Sequence, residues 1–380
     1  MTVPIEDNYK NICIYLRCLL PLSIEIIFSH SEQPTQTMKR LFLLSAIALV
    51  AICSSSCGSS QSGAPAKPEP PVRHGWFYGL LYGDVESVVM TEYKLEQKFG
   101  EIVRGDIEYC YKYYFNEAGD VIEEARYNSD GSLCRKEIYK YDSAGNEFEE
   151  TWYNSDGSLD RKWVCKYDSS GNQIESACYD SDGSLRYKTI YKYDSAGNMI
   201  EAASYGSDGS WNDKAIYKYD SSGNLIEEAY YKSDGSLYHK CVYKYDSSGN
   251  QIESAWYNSD GSLREKETYK YDALGNEIEL ACYDSDGSLR EKETYKYDSS
   301  GNMIEWAFYN SDGSLRYKTI YKYDSSGNLV EETSYDSDGS LRYETIYKYD
   351  SSRNIIEETI YSGEALMPHS QTVYEITYRN

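Results

Sequence analysis

From about residue 113 onward the chain alternates apolar and polar positions in short runs, and no run carries the 3.6-residue period of an amphipathic helix. Glycine-centred turns separate the runs. Residues 184–209, SLRYKTIYKYDSAGNMIEAASYGSDG, hold two alternating runs and two turns, which is the pattern of a β-hairpin. The unit then recurs. Tyr141, Tyr167, Tyr193, Tyr219, Tyr245, Tyr271, Tyr297, Tyr323 and Tyr349 are each followed by Asp, at a constant spacing of 26 residues. Phe115-Asn116 is a degenerate first copy, and Arg353 takes the place of the turn glycine in the last.

Both turns predict a type I geometry closed by a glycine in the left-handed region, where a Cβ clashes with the backbone. Gly145, Gly171, Gly197, Gly223, Gly249, Gly275, Gly301 and Gly327 are therefore read as structural turn residues. Such turns predict that Tyr193 faces Met199, Tyr191 faces Glu201, Thr189 faces Ala203 and Tyr187 faces Tyr205. One sheet face then carries Leu185, Tyr191, Tyr193, Glu201, Ala203 and Tyr205. The other carries Lys188, Ile190, Lys192 and Ile200, together with a variable column of Trp152, Cys178, Ser204, Tyr230, Trp256 and Phe308.

About ten copies of two strands each give an all-β antiparallel meander. Its width is on the order of 95 Å at roughly 4.8 Å per strand. Open twisted sheets rarely pass about ten strands without curling, so the expectation is a curled or spiral single sheet with its tyrosine face inward. Residues 74–112 read as an opening cap, with strands from Val85 to Tyr93 and from Ile107 to Phe115. Residues 113–361 form the array, and residues 362–380 a closing cap with a strand from Val373 to Tyr378.

Composition sharpens this picture in one respect. Tyr (43) far outnumbers Phe (7), so much of the apolar surface carries a hydroxyl and suits a sheet wet on at least one side. The net charge of −24 disfavours nucleic acid and bare anionic membrane as partners. It also keeps a long sheet soluble. The N-terminal part reads as an address. In residues 38–57, Lys39 and Arg40 precede an apolar run, small residues and Cys57, as in a lipoprotein signal whose cysteine is acylated. Ser54 stands where such signals usually carry Leu. Residues 1–37 are read as an extension upstream of the true start at Met38, and residues 58–73, rich in Gly, Ser, Ala and Pro, as a flexible tether. The implied location is the cell envelope, at an outer membrane reached through the lipid anchor, with periplasmic and surface faces both open.

The run Tyr-Asp-Ser-Ser-Gly-Asn, a strand, Asp-Gly and a strand returning to Tyr-Asp resembles the Rhs or YD-repeat family over residues 113–361. A second, weaker likeness is to MORN-type hairpin repeats. Members of the YD family form curled β-sheets, and some build shells around a C-terminal toxin. The resemblance implies the curled meander here. With residues 362–380 alone following the last copy, a shell around a toxin is not expected.

Catalysis is not expected either. His74, His239 and His369 stand far apart, and the recurrent acids, such as Asp194 and Glu201, are copied into every unit, whereas an active site breaks a repeat. No cofactor or metal is implied. Asp180–Gly183 resembles the start of a calcium loop, but such a loop needs an acid at its twelfth position, where Tyr191 stands. Two functions remain. One is a non-enzymatic scaffold for protein interaction. The alternative is a carbohydrate-binding surface lipoprotein whose aromatic ladders stack on sugars. If Tyr191 and Tyr193 are buried, the ladder is structural, and ligand contact falls to Trp152, Trp256, Trp306 and Phe308. Cys134, Cys165, Cys178, Cys241 and Cys282 have no cysteine opposite them in the predicted register and are expected as free thiols, as is Cys110 at the irregular cap.

Overall fold

The computed structural model describes residues 81–363 and 366–379. The expectations for residues 1–37, 38–57 and 58–73, Cys57 included, lie outside them, as does the start of the opening cap. The chain divides at Tyr82/Gly83 into two units, and all the strands belong to the second, Gly83–Asn380.

Twenty-two antiparallel strands follow one another in chain order, each paired with its sequence neighbours, from Val85–Lys98 to Met367–Tyr378. The repeated hairpin is confirmed. A typical unit consists of strands Leu185–Tyr193 and Met199–Gly206. The sequence favours a curled or spiral sheet and leaves closure open. The first strand pairs with the last, Val88 opposite Ile376 and Thr91 opposite Val373, so the sheet is a closed 22-strand barrel and not an open curl or spiral. At about 4.8 Å per strand its girth is on the order of 105 Å. Closure leaves no edge along the array to recruit another chain, and this is what the two expected caps become. Val85–Lys98 and Glu101–Phe115 form one long hairpin, turned at Phe99-Gly100, while Met367–Tyr378 completes the seam. Val85, Val88, Met90, Tyr113 and Val121 are fully buried beside that seam. Arg379 ties it, pairing with Asp84 at 2.6 Å and donating to the Phe115 carbonyl.

The turns are five-residue loops of the expected kind. Asp194 N–H donates to Asn198 O (2.9 Å), and Gly197 N–H donates to Asp194 O (3.2 Å) with Gly197 at φ 87°. The Asp194 carboxylate locks the turn by accepting the backbone N–H groups of Ala196 and Asn198 and the Asn198 side-chain amide. That triple acceptance holds the Asp194 carboxyl below its ordinary value. Arg353, where the last copy lacks glycine, sits at φ 72°, a conformation strained for a side chain.

Beyond the turn the predicted register fails by one residue. Tyr193 does face Met199, but Lys192 faces Glu201, Tyr191 faces Ala202 and Thr189 faces Ser204. Ile200 is an extra residue, a β-bulge, and the second turn carries its counterpart at Asn212. A one-residue slip reverses faces. Glu201, Ala203 and Tyr205 therefore share the face of Lys188 and Lys192, and the variable column from Trp152 to Phe308 shares the face of Tyr191. Burial assigns the two faces. Tyr191 and Ser204 are 4% and 1% exposed, whereas Lys192 is exposed. Side chains converge inside a closed sheet and splay outside it, so the tyrosine face is the inner wall.

The cysteine neighbours shift with the register. Cys178 lies between Trp163 and Tyr187 instead of Lys162 and Arg186, and Cys241 lies between Glu228 and Trp256. Cys165 faces Ser176, and Cys134 occupies a bulge beside Arg135. All six cysteines among the described residues stand as thiols.

The tyrosine of each Tyr-Asp pair has a definite task. Its hydroxyl donates to the backbone carbonyl twenty residues earlier in all nine regular copies, at 2.6–2.9 Å, as Tyr219 does to Met199. The backbone ladder between those two strands stops at Ile216–Glu201. The hydroxyl thus bonds a carbonyl next to the bulge that the ladder no longer reaches.

Two substitutions test this account. Gly223→Val forces a β-branched residue to φ 87°. It should cost about 1–3 kcal/mol, with faster hydrogen exchange confined to that hairpin and its neighbours. An unchanged melting curve contradicts the turn assignment. Tyr219→Phe removes one hydroxyl and should cost about 0.5–1.5 kcal/mol, with exchange quickening at the Met199 turn.

Candidate functional site

The repeats are alike outside and different inside. On the outer wall, Lys stands in all nine copies from Lys140 to Lys348, Glu in ten from Glu123 to Glu357, and Tyr in ten from Tyr127 to Tyr361. The bulge creates the contact between the first two. Each lysine pairs across the turn with a glutamate, Lys192 to Glu201 for example, at 2.6–2.8 Å around the barrel. The same glutamates reach a second lysine on the following strand, as Glu149 does to Lys162 and Glu227 to Lys240. Those second lysines also lie over tyrosine rings, Lys240 over Tyr257 at 5.7 Å and Lys266 over Tyr283 at 5.3 Å.

The inner wall holds the individuality. The position of Ser204 is Arg126, Trp152, Cys178, Tyr230, Trp256, Cys282, Phe308, Ser334 or Ile360 in the other copies. The position of Ala202 is Glu124, Glu150, Ser176, Glu228, Ser254, Leu280, Trp306, Glu332 or Glu358.

Tyr191 is buried, and half-buried Tyr193 spends its hydroxyl on the Gln173 carbonyl, so the ladder is structural. The four aromatic residues singled out from the sequence do not converge. Trp256 and Phe308 are 7% and 3% exposed, the latter stacked on Tyr317 at 5.1 Å. Trp306 donates its indole N–H to Glu293 Oε2 at 2.7 Å. Trp152 lies between Arg135 and Arg161, whose guanidinium carbons stand 4.4 and 5.0 Å from its ring centroid, and Trp163 packs beside it. Trp256 is thus buried, Phe308 and Trp152 each have ring surface covered, and Trp306 is half-buried. His239 is stacked on Tyr230 at 4.4 Å, far along the sheet from the seam strand that carries His369.

The alternation pattern did not disclose the buried glutamates of the inner wall. Tyr139 donates to Glu137, Tyr230 to Glu228, Tyr269 to Glu267 and Tyr295 to Glu293, at 2.6–2.9 Å. All of these pairs follow the spacing Glu-x-Tyr, which places both side chains on one strand face. That spacing is the signal that could have found them.

Glu124 and Glu137 are direct cross-strand partners, with Glu150 on the next strand. Burial, then the neighbouring Glu137 charge, pushes Glu124 up to about 8. Burial likewise pushes Glu150 up to about 8, against a hydrogen bond from Trp152, and Glu293 to about 7. Burial also lifts the Cys165 and Cys178 thiols to about 11, which makes them poor nucleophiles at neutral pH.

A family model described as "Uncharacterised protein" matches residues 218–321. No curated protein matches the chain. Among solved structures, the chain is similar to TcdB2-TccC3, with 14% identity over 76% of this chain and 19% of that one, at a TM-score of 0.30. A Tc holotoxin pore from Photorhabdus luminescens matches at 9% identity over 74% of this chain and 26% of that one, at a TM-score of 0.20. A porin-like protein from Bacteroides uniformis matches at 11% identity over 77% of this chain and 98% of that one, at a TM-score of 0.28. The chain thus spans about a fifth of the first of these and nearly all of the last.

The raised carboxyls predict an acid-favoured fold. A carboxyl with a folded pKa above its unfolded value binds more protons when folded. Its contribution is complete below the ordinary value of 4.5 and is lost as pH rises toward about 8. The melting temperature should therefore fall between about pH 5 and 8.5, and Glu124→Gln should flatten that decline. An identical slope in the variant contradicts the assignment.

Proposed function

We propose that the chain is a non-catalytic scaffold of the cell envelope, held to a membrane by an acyl group on Cys57, and that protein partners bind its outer wall. The carrying observation is the sameness of that wall, where Lys192, Glu201 and Tyr205 have counterparts in repeat after repeat. The same patch returns every two strands, roughly every 9.6 Å, which suits avidity for a partner with repeated contacts. Catalysis gains nothing from such copying. The lysines and glutamates of that wall also argue against lipid contact, since each lysine costs about 2–4 kcal/mol at a bilayer midplane.

Two measurements test the proposal. A metabolic fatty-acid probe should label the wild type and not Cys57→Ser, and equal labelling removes the anchor. A photo-crosslinking residue at outer Ile216 should give discrete protein adducts in cells, and one at inner Ala215 should not. Adducts from neither site, or equally from both, overturn the scaffold.

A further inference from the structure

The inner wall is largely acidic and aromatic. Among its paired positions basic side chains occur at Arg126, Arg135, Arg161, Lys232 and His239; Lys232 stands opposite Asp213, whereas the three arginines fall within four consecutive strands, on Val121–Tyr127, Leu133–Tyr141 and Leu159–Tyr167. Arg126 and Arg135 are direct cross-strand partners, and Arg161 faces Trp152 on the next pair. Like charges placed opposite each other destabilise a sheet. This pair therefore needs a counter-charge.

The described residues supply it in part. Arg135 pairs with Glu137 and Arg161 with Asp160, each at 2.7 Å. Arg126 makes no ion pair among the described residues, and its guanidinium lies over the Tyr111 ring at 5.6 Å. The arginines are also held in place and within reach of solvent. The Trp152 ring positions Arg135 and Arg161 from either side, and their side chains are 41% and 29% exposed. The carboxyls that could cancel the charge, Glu124 and Glu150, are kept largely protonated at neutral pH by burial.

We propose that Arg126, Arg135 and Arg161 form an anion-binding subsite on the inner wall that takes a tetrahedral oxyanion, a phosphate or sulfate, either free or as an ester on a larger ligand. Guanidinium forks match such groups bidentately, and a dianion bridging Arg126 and Arg135 removes the repulsion between them. Trp152 is a positioning residue in this scheme, and its ring face is already occupied.

Calorimetric titration of the full chain at low ionic strength tests the proposal with inorganic phosphate, inorganic sulfate and glucose 6-phosphate. Saturable binding is expected, weakened about tenfold or more in Arg126→Gln and unchanged in the outer-wall variant Lys192→Ala. Tighter binding of the sugar phosphate than of free phosphate assigns the ester. Arg126→Gln leaves every described ion pair intact, so its melting temperature should not fall. Arg135→Ala strips Glu137 of its ion-pair partner and, as the second variant, should weaken binding by a similar factor. The absence of saturable heat with all three probes overturns the proposal, and so does binding that Arg126→Gln does not weaken.

Discussion

In the strand that leaves each turn, the chain carries one residue more than its partner strand can pair. Ile200 and Asn212 are those residues in a typical copy, and counterparts recur through the array. Accommodating the surplus as a bulge reverses the face of everything beyond it. It thereby brings Lys192 opposite Glu201, buries the variable column, and leaves the Met199 carbonyl for the Tyr219 hydroxyl. Bulges also increase local twist and bend the sheet. A long meander bent alike at every junction comes round to its own first strand.

Inside and outside then answer to different constraints. Outside, side chains splay into solvent, and a small set of residues repeated without change gives ion pairs and lysine–tyrosine contacts between adjoining copies. Exposed ion pairs are individually weak through solvent screening, so what the lattice offers is a uniform surface. Inside, convergence crowds the side chains, and each copy must suit its neighbours. Glutamates survive there because tyrosines and tryptophans donate to them, and because burial can keep them protonated. In the arginine sector of the first repeats, Arg135 and Arg161 have carboxylate partners, and Arg126 rests on the Tyr111 ring.

Closure also explains where a conventional core is found. Most strands lean on neighbours of the same repeat pattern, in the manner of repeat proteins whose stability is nearly additive. The seam joins strands that are not repeats, and there fully buried Val85, Val88, Met90 and Val121 do the packing, with Arg379 bonding across the join. The ends of the array thus become its least repetitive and most apolar part.

The alternation, the 26-residue period and the turn glycines determined the hairpins, their antiparallel order and the left-handed turn positions, because each depends on residues close along the chain. The pairing of Tyr193 with Met199 was legible for the same reason, since the turn itself dictates it. The faces of Glu201, Tyr205 and Trp152 were not, because a bulge is decided by how two strands twist past each other and leaves no mark on the alternation. The burial of Trp256 and Phe308 was not legible either, since it depends on the inner face converging. Closure belongs to the tertiary structure alone. It joins Val85–Lys98 to Met367–Tyr378, at opposite ends of the array, and it follows from the curvature summed over twenty-two strands.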